Sequence, residues 1–369
     1  MRRARWIAPW KDSETKPAIY HCNSRVVDRR FAFGVEEKER FRTLMRMMEN
    51  FTGCRVLSYC LMCNHIHILV EVPPMPQDGI ADVVFLKRLS SIYGENFVAA
   101  VAGQLDAARI EGGLKGGNSG RVEEIKARFT YRMHDLGEFM KGLLQRFTQW
   151  FNGRHKRTGT LWEQRFKSVI VESGTAARTM AAYIDLNPVR AGMVEDPGEY
   201  RWSSYGEAVG GGSKGNGKKA REGLVRAISS DTDTGFDAGK WKDASRRYRL
   251  LLGMALQRKT SNSKIQISRK SCAADGMNAA EVLAAAGEGR ATEDRPHLPE
   301  LGMARMLRHR VRYFTDGAVI GSREFVNEAF DSARERFSEK RKDGARRMRG
   351  NAAAARSLWS IRALRVGIG

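Results

Sequence analysis

Apolar positions along the chain fall into two alternating regimes. Residues 17–27, PAIYHCNSRVV, read as a strand with Tyr20, Cys22 and Ser24 on one face and His21 on the other. Residues 36–51, EEKERFRTLMRMMENF, carry Phe41, Leu44, Met45, Met48 and Phe51 at helical spacing, and Gly53 ends that helix. Residues 54–61, CRVLSYCL, predict a second strand, Met62 to Asn64 a short turn, and the apolar run from Ile68 to Val72 a third, buried strand. Alternation on this strand puts His65 and His67 on one face and Ile66 on the other. Residues 75–134 are less regular and read as an insertion, with one or two helices over 79–102 and a loop at 112–120, GGLKGGNSG. Helical pattern returns over 135–154 with Phe139, Leu143, Leu144, Phe147, Trp150 and Phe151, and with Asp135 as N-cap. A basic turn, a strand FKSVIVES and a helix over 175–186, closed by Asn187–Pro188, complete the unit.

Without the insertion, the order is strand, helix, strand, strand, helix, strand. That order predicts an α+β fold, a ferredoxin-like sheet covered by two helices. Its first and third strands are central neighbours, so His21 falls either near the face of His65 and His67 or beside the core as a satisfied polar residue. The division read from the chain is a tail at 1–14, this unit at 15–208, a linker and basic helix at 209–260, and a basic, mostly helical region at 261–369. The Gly-, Ser-, Lys- and Asp-rich stretch 207–240 reads as linker, 241–260 as a basic helix, and DGMNAAEVLAAAGEG from 276 as a short helix. Residues 300–349 carry helical pattern around YFTDGAVIGSREFVNEAF. With 16 Lys and Arg against 7 Asp and Glu over 301–369, this region reads as a DNA-binding appendage or as a like-charged tail.

Charge sharpens the picture. The formal net charge of +22, from 64 basic and 42 acidic residues, points to a polyanionic partner, with nucleic acid first. No apolar run approaches the roughly 18 residues of a membrane helix, and the basic start MRRARWIAPWKDSETKPA lacks the apolar run of a secretory signal. Five cysteines, an odd number, show no disulfide framework, and a cytoplasmic location without a membrane partner is the expectation.

Two imidazoles on one rigid strand, His65 and His67, can hold one divalent metal; a bare His-x-His is more often a pair of polar residues on a solvent-facing stripe. The compact set Cys60, Cys63, His65 and His67 offers a zinc reading, but its cysteines straddle a turn, and small buried packing residues are the plainer account of them. Arg154, His155, Lys156 and Arg157, followed by Trp162, Arg165 and Lys167, mix cations with an indole as a single-strand backbone site does. A solvated basic turn, with Trp162 packed in the core, is the competing reading. Tyr183, Asn187, Pro188 and Arg190 lie in YIDLNPVRAG, where Asn–Pro stops a helix and Arg190 is a candidate phosphate contact.

The segments YHCNSRV, MCNHIHILVEVP, FTQWFNGRHKRTGTLWEQRFKS and YIDLNPVRAGMV, in this order, resemble the single-tyrosine HUH transposases, above all the REP-associated tyrosine transposases and their insertion-sequence-200-like kin. The resemblance covers about residues 15–208. It implies that the histidine pair and a third ligand hold Mg²⁺ or Mn²⁺ on a scissile phosphate of single-stranded or hairpin DNA. It also implies that a tyrosine attacks that phosphate, that DNA cleavage and joining follow, and that homodimers are common. Carried onto this chain, His65 and His67 are the pair and His155 is the candidate third ligand, with Gln149 as alternative. The nucleophile is expected in FTQWFN, where Phe147, Trp150 and Phe151 carry no hydroxyl; Tyr131 and Tyr183 are the distant candidates. Three functions follow as expectations: a single-strand DNA endonuclease and transposase, a catalytically impaired, domesticated hairpin-DNA binder, and an RNA-binding protein on the same sheet.

Overall fold

The computed structural model describes residues 6–114, 120–212, 215–229, 237–256, 258–259, 265–266, 307, 312–315, 317–337, 339–348 and 358–362. The first half runs β1 (Ala18–Arg25), α1 (Val35–Thr52), β2 (Arg55–Leu61), β3 (His65–Val72), α2 (Asp82–Leu89), α3 (Glu95–Leu114), α4 (Gly120–Thr130), α5 (Leu136–Arg154) and β4 (Lys167–Val171). Then come α6 (Thr175–Asp185), α7 (Asn187–Arg190), α8 (Ser204–Gly210), α9 (Gly215–Ile228), α10 (Trp241–Leu256) and a short pair, β5 (Arg258–Lys259) and β6 (Ile265–Gln266). The last described elements are α11 (Arg312–Thr315), β7 (Gly317–Gly321), α12 (Arg323–Asp331), β8 (Arg346–Arg347) and β9 (Trp359–Arg362).

The first four strands stand in the order β2-β3-β1-β4, all antiparallel, which is the ferredoxin-like arrangement expected from the chain. Asp135 caps α5 by accepting from the Glu138 N–H, and Gly53 ends α1 in the left-handed region at φ 74°. The sheet does not stop at β4. The helical pattern read around YFTDGAVIGSREFVNEAF is interrupted by a strand, Gly317–Gly321, which adds to β4 in parallel and is followed by β9 and β8. The run GAVIG is a short apolar stretch flanked by glycine, and pairing with an open sheet edge satisfies its backbone where an isolated turn of helix would not.

Both faces of the sheet are covered. Tyr20, Cys22, Val56, Tyr59, Ile66, Ile68, Val70 and Ile170 pack with Phe41, Met45, Phe147 and Phe151 of α1 and α5. Ile19, Leu57, Cys60, Leu69, Val169 and Val171 face the other way, onto Met180, Tyr183, Ile184, Leu224 and Tyr248 of α6, α9 and α10. The stretch 207–240, read as linker, therefore holds a core helix. In α9 the residues Ala220, Gly223, Leu224, Ala227 and Ile228 are buried at helical spacing, and Gly223 lets the helix approach the sheet so closely that a Cβ there would lie 2.4 Å from the Val56 carbonyl oxygen. The insertion at 75–134 folds as the helices α2 to α4. The helix read from residue 276 lies outside the described residues.

Candidate functional site

Strand parity decides which helix the histidines meet. His65 and His67 share the face of Leu69, and β1 sets Arg25 opposite His65, Asn23 opposite His67 and His21 opposite Leu69. This is the face covered by α6, whereas α5 lies on the other side of the sheet. The tyrosine beside the histidines is accordingly Tyr183 of α6. Its ring centroid lies 5.7 Å from that of His67 and 6.0 Å from that of His21. Phe314 of α11 stacks on Tyr183 at 4.7 Å, and the Arg190 guanidinium sits 5.0 Å from the Tyr183 ring centre.

Hydrogen bonding fixes the tautomers. The Phe314 carbonyl lies 2.9 Å from His21 Nδ1, so this nitrogen is the donor and His21 Nε2 keeps a lone pair. His67 Nδ1, 2.9 Å from that Nε2, must then donate, which leaves the lone pair of His67 on Nε2. His65 reaches the same state by another route. Asn64 Nδ2 donates to the Arg29 carbonyl at 3.0 Å, and its Oδ1 accepts from His65 Nδ1 at 2.7 Å. Both strand histidines thus present Nε2 as a lone-pair donor. Burial drives the pKa of His21 down to about 4. Burial, reinforced by Arg25, does the same to His65. His67 is pushed well below its ordinary value by burial and by its cationic and histidine neighbours. All three are therefore neutral at neutral pH.

Two neutral imidazoles with fixed Nε2 lone pairs fit a divalent cation as a partial donor set. Among the described residues no group of three or more His, Cys, Asp or Glu stands where it could hold a metal, so phosphate oxygens and water would have to complete the shell. The expected third ligand is one correction. His155, the C-cap of α5, belongs to the opposite face and bonds through Nε2 to Glu37 Oε1 at 3.0 Å. Gln149 is exposed on the same helix. The cysteines of the zinc reading, the weaker one in the sequence, make other contacts. Cys60 is buried with Sγ 3.6 Å from Met62 Sδ, and Cys63 Sγ lies 3.7 Å from Lys38 Nζ.

The expected nucleophile slot is core. Phe147 and Phe151 are buried, and Trp150 packs partly buried against the same cluster, so their aromatic character serves packing behind the sheet. Tyr131 is 67% exposed on the turn after α4. Trp162 is a core plug: its Nε1 donates to Thr148 Oγ1 at 2.9 Å, and its ring packs on Phe33, Phe41 and Phe147. Arg154, Lys156, Arg165 and Lys167 stay exposed along one turn and strand start. Arg154 pairs with Glu36, and Arg157 donates to the Thr160 carbonyl. Arg190 is built into the fold, donating to the Tyr183 carbonyl at 3.0 Å and the Leu307 carbonyl at 2.9 Å. Asn187 caps α6 through Nδ2 to the Tyr183 carbonyl. Sequence reading missed Arg25, Asn64 and Phe314; for Arg25 and Asn64 the signal was present, one being the strand partner of a histidine and the other its neighbour in the chain.

The site thus joins a histidine pair, a buried tyrosine and flanking cations on one face of a sheet that is covered on both sides. Comparison with known proteins adds a family likeness. Residues 15–95 match the family model described as transposase, IS200 like, which spans β1 to the start of α3 and includes both histidines. The first half of the sheet therefore carries the likeness to insertion-sequence-200-type transposases. A solved structure of a REP-associated tyrosine transposase bound to a REP hairpin matches over 58% of this chain and 88% of its own, at 12% identity and a TM-score of 0.35. No curated protein matches the chain.

Proposed function

We propose that this protein is a transposase-like nuclease acting on single-stranded or hairpin DNA, with Tyr183 as its nucleophile. The observation that carries the reading is the edge-to-face packing of Tyr183 against His67, on the face of the sheet opposite α5. In this reading a phosphodiester lies over His65 and His67 with Arg25 alongside. A bound Mg²⁺ or Mn²⁺ would neutralise charge on the scissile phosphate. Tyr183 Oη attacks phosphorus, a tyrosyl–phosphate ester forms, and the bond from phosphorus to the 3′ oxygen breaks. The phenolic proton leaves Tyr183, the departing oxygen is protonated as a 3′-hydroxyl, and the 5′ phosphate stays on the enzyme. The ester conserves the energy of the broken bond for rejoining.

In the nuclease reading Tyr183 takes the place of the tyrosine missing from residues 147–151. A domesticated hairpin binder nevertheless has one supporting observation. Tyr183 is only 2% exposed beneath Phe314, so in that reading the cover stays in place. A labelled DNA hairpin with single-stranded flanks and Mn²⁺ separates the two. The nuclease reading predicts nicking that falls at least 100-fold in His67→Ala while DNA affinity changes only a few-fold. Tight binding without nicking under any divalent metal would favour the binder.

A further inference from the structure

Phe31 is the most exposed large apolar side chain among the described residues, at 85%. A single exposed apolar residue is ordinary on a protein surface, but this one stands on a loop built to hold it there. Residues 26–33 leave β1 and are pinned on two sides: the Val26 N–H donates to the Asn64 carbonyl, Val27 to Leu161, and Phe33 to Cys63. Phe33 anchors the loop from below, packed on Phe41, Phe147 and Trp162. Between these anchors Asp28 and Arg29 both take positive φ, 58° and 56°, a backbone state that non-glycine residues enter at a cost of about 1 kcal/mol or more each. Arg29, Arg30 and Phe31 on this loop are all exposed, as is Arg25 at the end of β1, and Arg30 pairs at the surface with Asp28.

The loop is also tied to the histidines. Asn64 holds the Arg29 carbonyl with Nδ2 and His65 Nδ1 with Oδ1, so one carboxamide spans the loop and the histidine strand. An aromatic face flanked by guanidinium groups, at a fixed position next to a phosphate-handling site, matches the way single strands are held: bases on rings, backbone on cations. We infer that Phe31 is a stacking platform for an unpaired nucleobase of the DNA strand, with Arg25, Arg29 and Arg30 on the backbone leading toward His65. The inference rests on the nucleic-acid reading given above and adds to it the residue that grips the unpaired part of the substrate.

The test compares the full-length native protein with Phe31→Ala and Phe31→Tyr, using fluorescence anisotropy on two labelled DNAs: a hairpin with single-stranded flanks and the same hairpin with blunt ends. Phe31→Ala is expected to weaken binding to the flanked DNA about 5- to 150-fold, the equivalent of roughly 1–3 kcal/mol for one stacked base. Binding to the blunt DNA and the melting temperature should stay unchanged, and Phe31→Tyr should restore the native affinity. If native protein binds the flanked hairpin tightly and Phe31→Ala binds it within twofold, the platform is wrong while the functional reading survives. If native protein does not bind the flanked DNA, both fall together.

Discussion

A buried histidine ligates a cation through the ring nitrogen that keeps its lone pair, and a partner on the other nitrogen fixes which one that is and how the ring is aimed. In this protein that partner for His67 is His21, itself held by the Phe314 carbonyl, 293 residues away in the chain. The pair His65 and His67 was legible in the sequence because strand alternation alone puts both on one face. The role of His21 was half legible, through the central pairing of the first and third strands, but its Phe314 partner left no local signal. A prediction follows for this arrangement. His21→Phe keeps the ring volume and removes the relay, so Mn²⁺ affinity measured by calorimetry or electron paramagnetic resonance should drop about 10- to 100-fold. In His21→Gln the carboxamide can accept from His67 and donate to Phe314, so most of that affinity should return. Equal Mn²⁺ binding in native and His21→Phe protein would remove the relay from the account.

Elements explain what the residues alone could not. The helix carrying FTQWFN and the helix carrying Tyr183 are both apolar and both pack on the sheet, and nothing in their periodicity says which face each one covers. The fold assigns α5 to the face of Ile66 and α6 to the face of His67. The stretch 207–240 misled for a different reason: its glycines read as flexibility, whereas Gly223 provides close contact between α9 and β2. Gly223→Ala should force the helix off the sheet and cost about 1–3 kcal/mol, read as a lower denaturant midpoint with an unchanged slope; an unchanged midpoint would mean that the helix sits farther out. The same layer is knit by Asp185 at the end of α6, which accepts from the Tyr205 N–H at 3.0 Å and the Tyr248 hydroxyl at 2.7 Å. Burial raises its pKa from 3.8 to about 7. Between those values the folded chain keeps a proton that the unfolded chain has lost, so stability should decline as pH rises through that window, by at most about 1.4 kcal/mol per pH unit, and level off above it. Asp185→Asn should flatten that part of the curve, and a native stability that rises from pH 4 to 7 in step with the variant would contradict the assignment.

At the scale of the whole molecule, the ferredoxin-like core was legible because its order of strands and helices survives a 60-residue-scale insertion, which folds as helices of its own. The C-terminal region was not, because its contribution is non-local: β7 joins β4 in parallel, Phe314 roofs Tyr183, and Leu307 receives Arg190. Residues more than a hundred positions beyond α6 thus shape the site that α6 and β3 create. The family likeness, confined to residues 15–95, supplies the histidines but ends before the tyrosine, so the claim that joins them rests on the fold. Its most direct test is to trap the covalent protein–DNA adduct with a flanked hairpin and Mn²⁺, digest it, and map the modified peptide by mass spectrometry. The expected product is a 5′-nucleotide esterified through its phosphate to Tyr183 Oη, with no adduct in Tyr183→Phe and no gain of adduct in Tyr183→Phe carrying Phe151→Tyr. An adduct mapped to Tyr131 or any other residue, or one that persists in Tyr183→Phe, would contradict it.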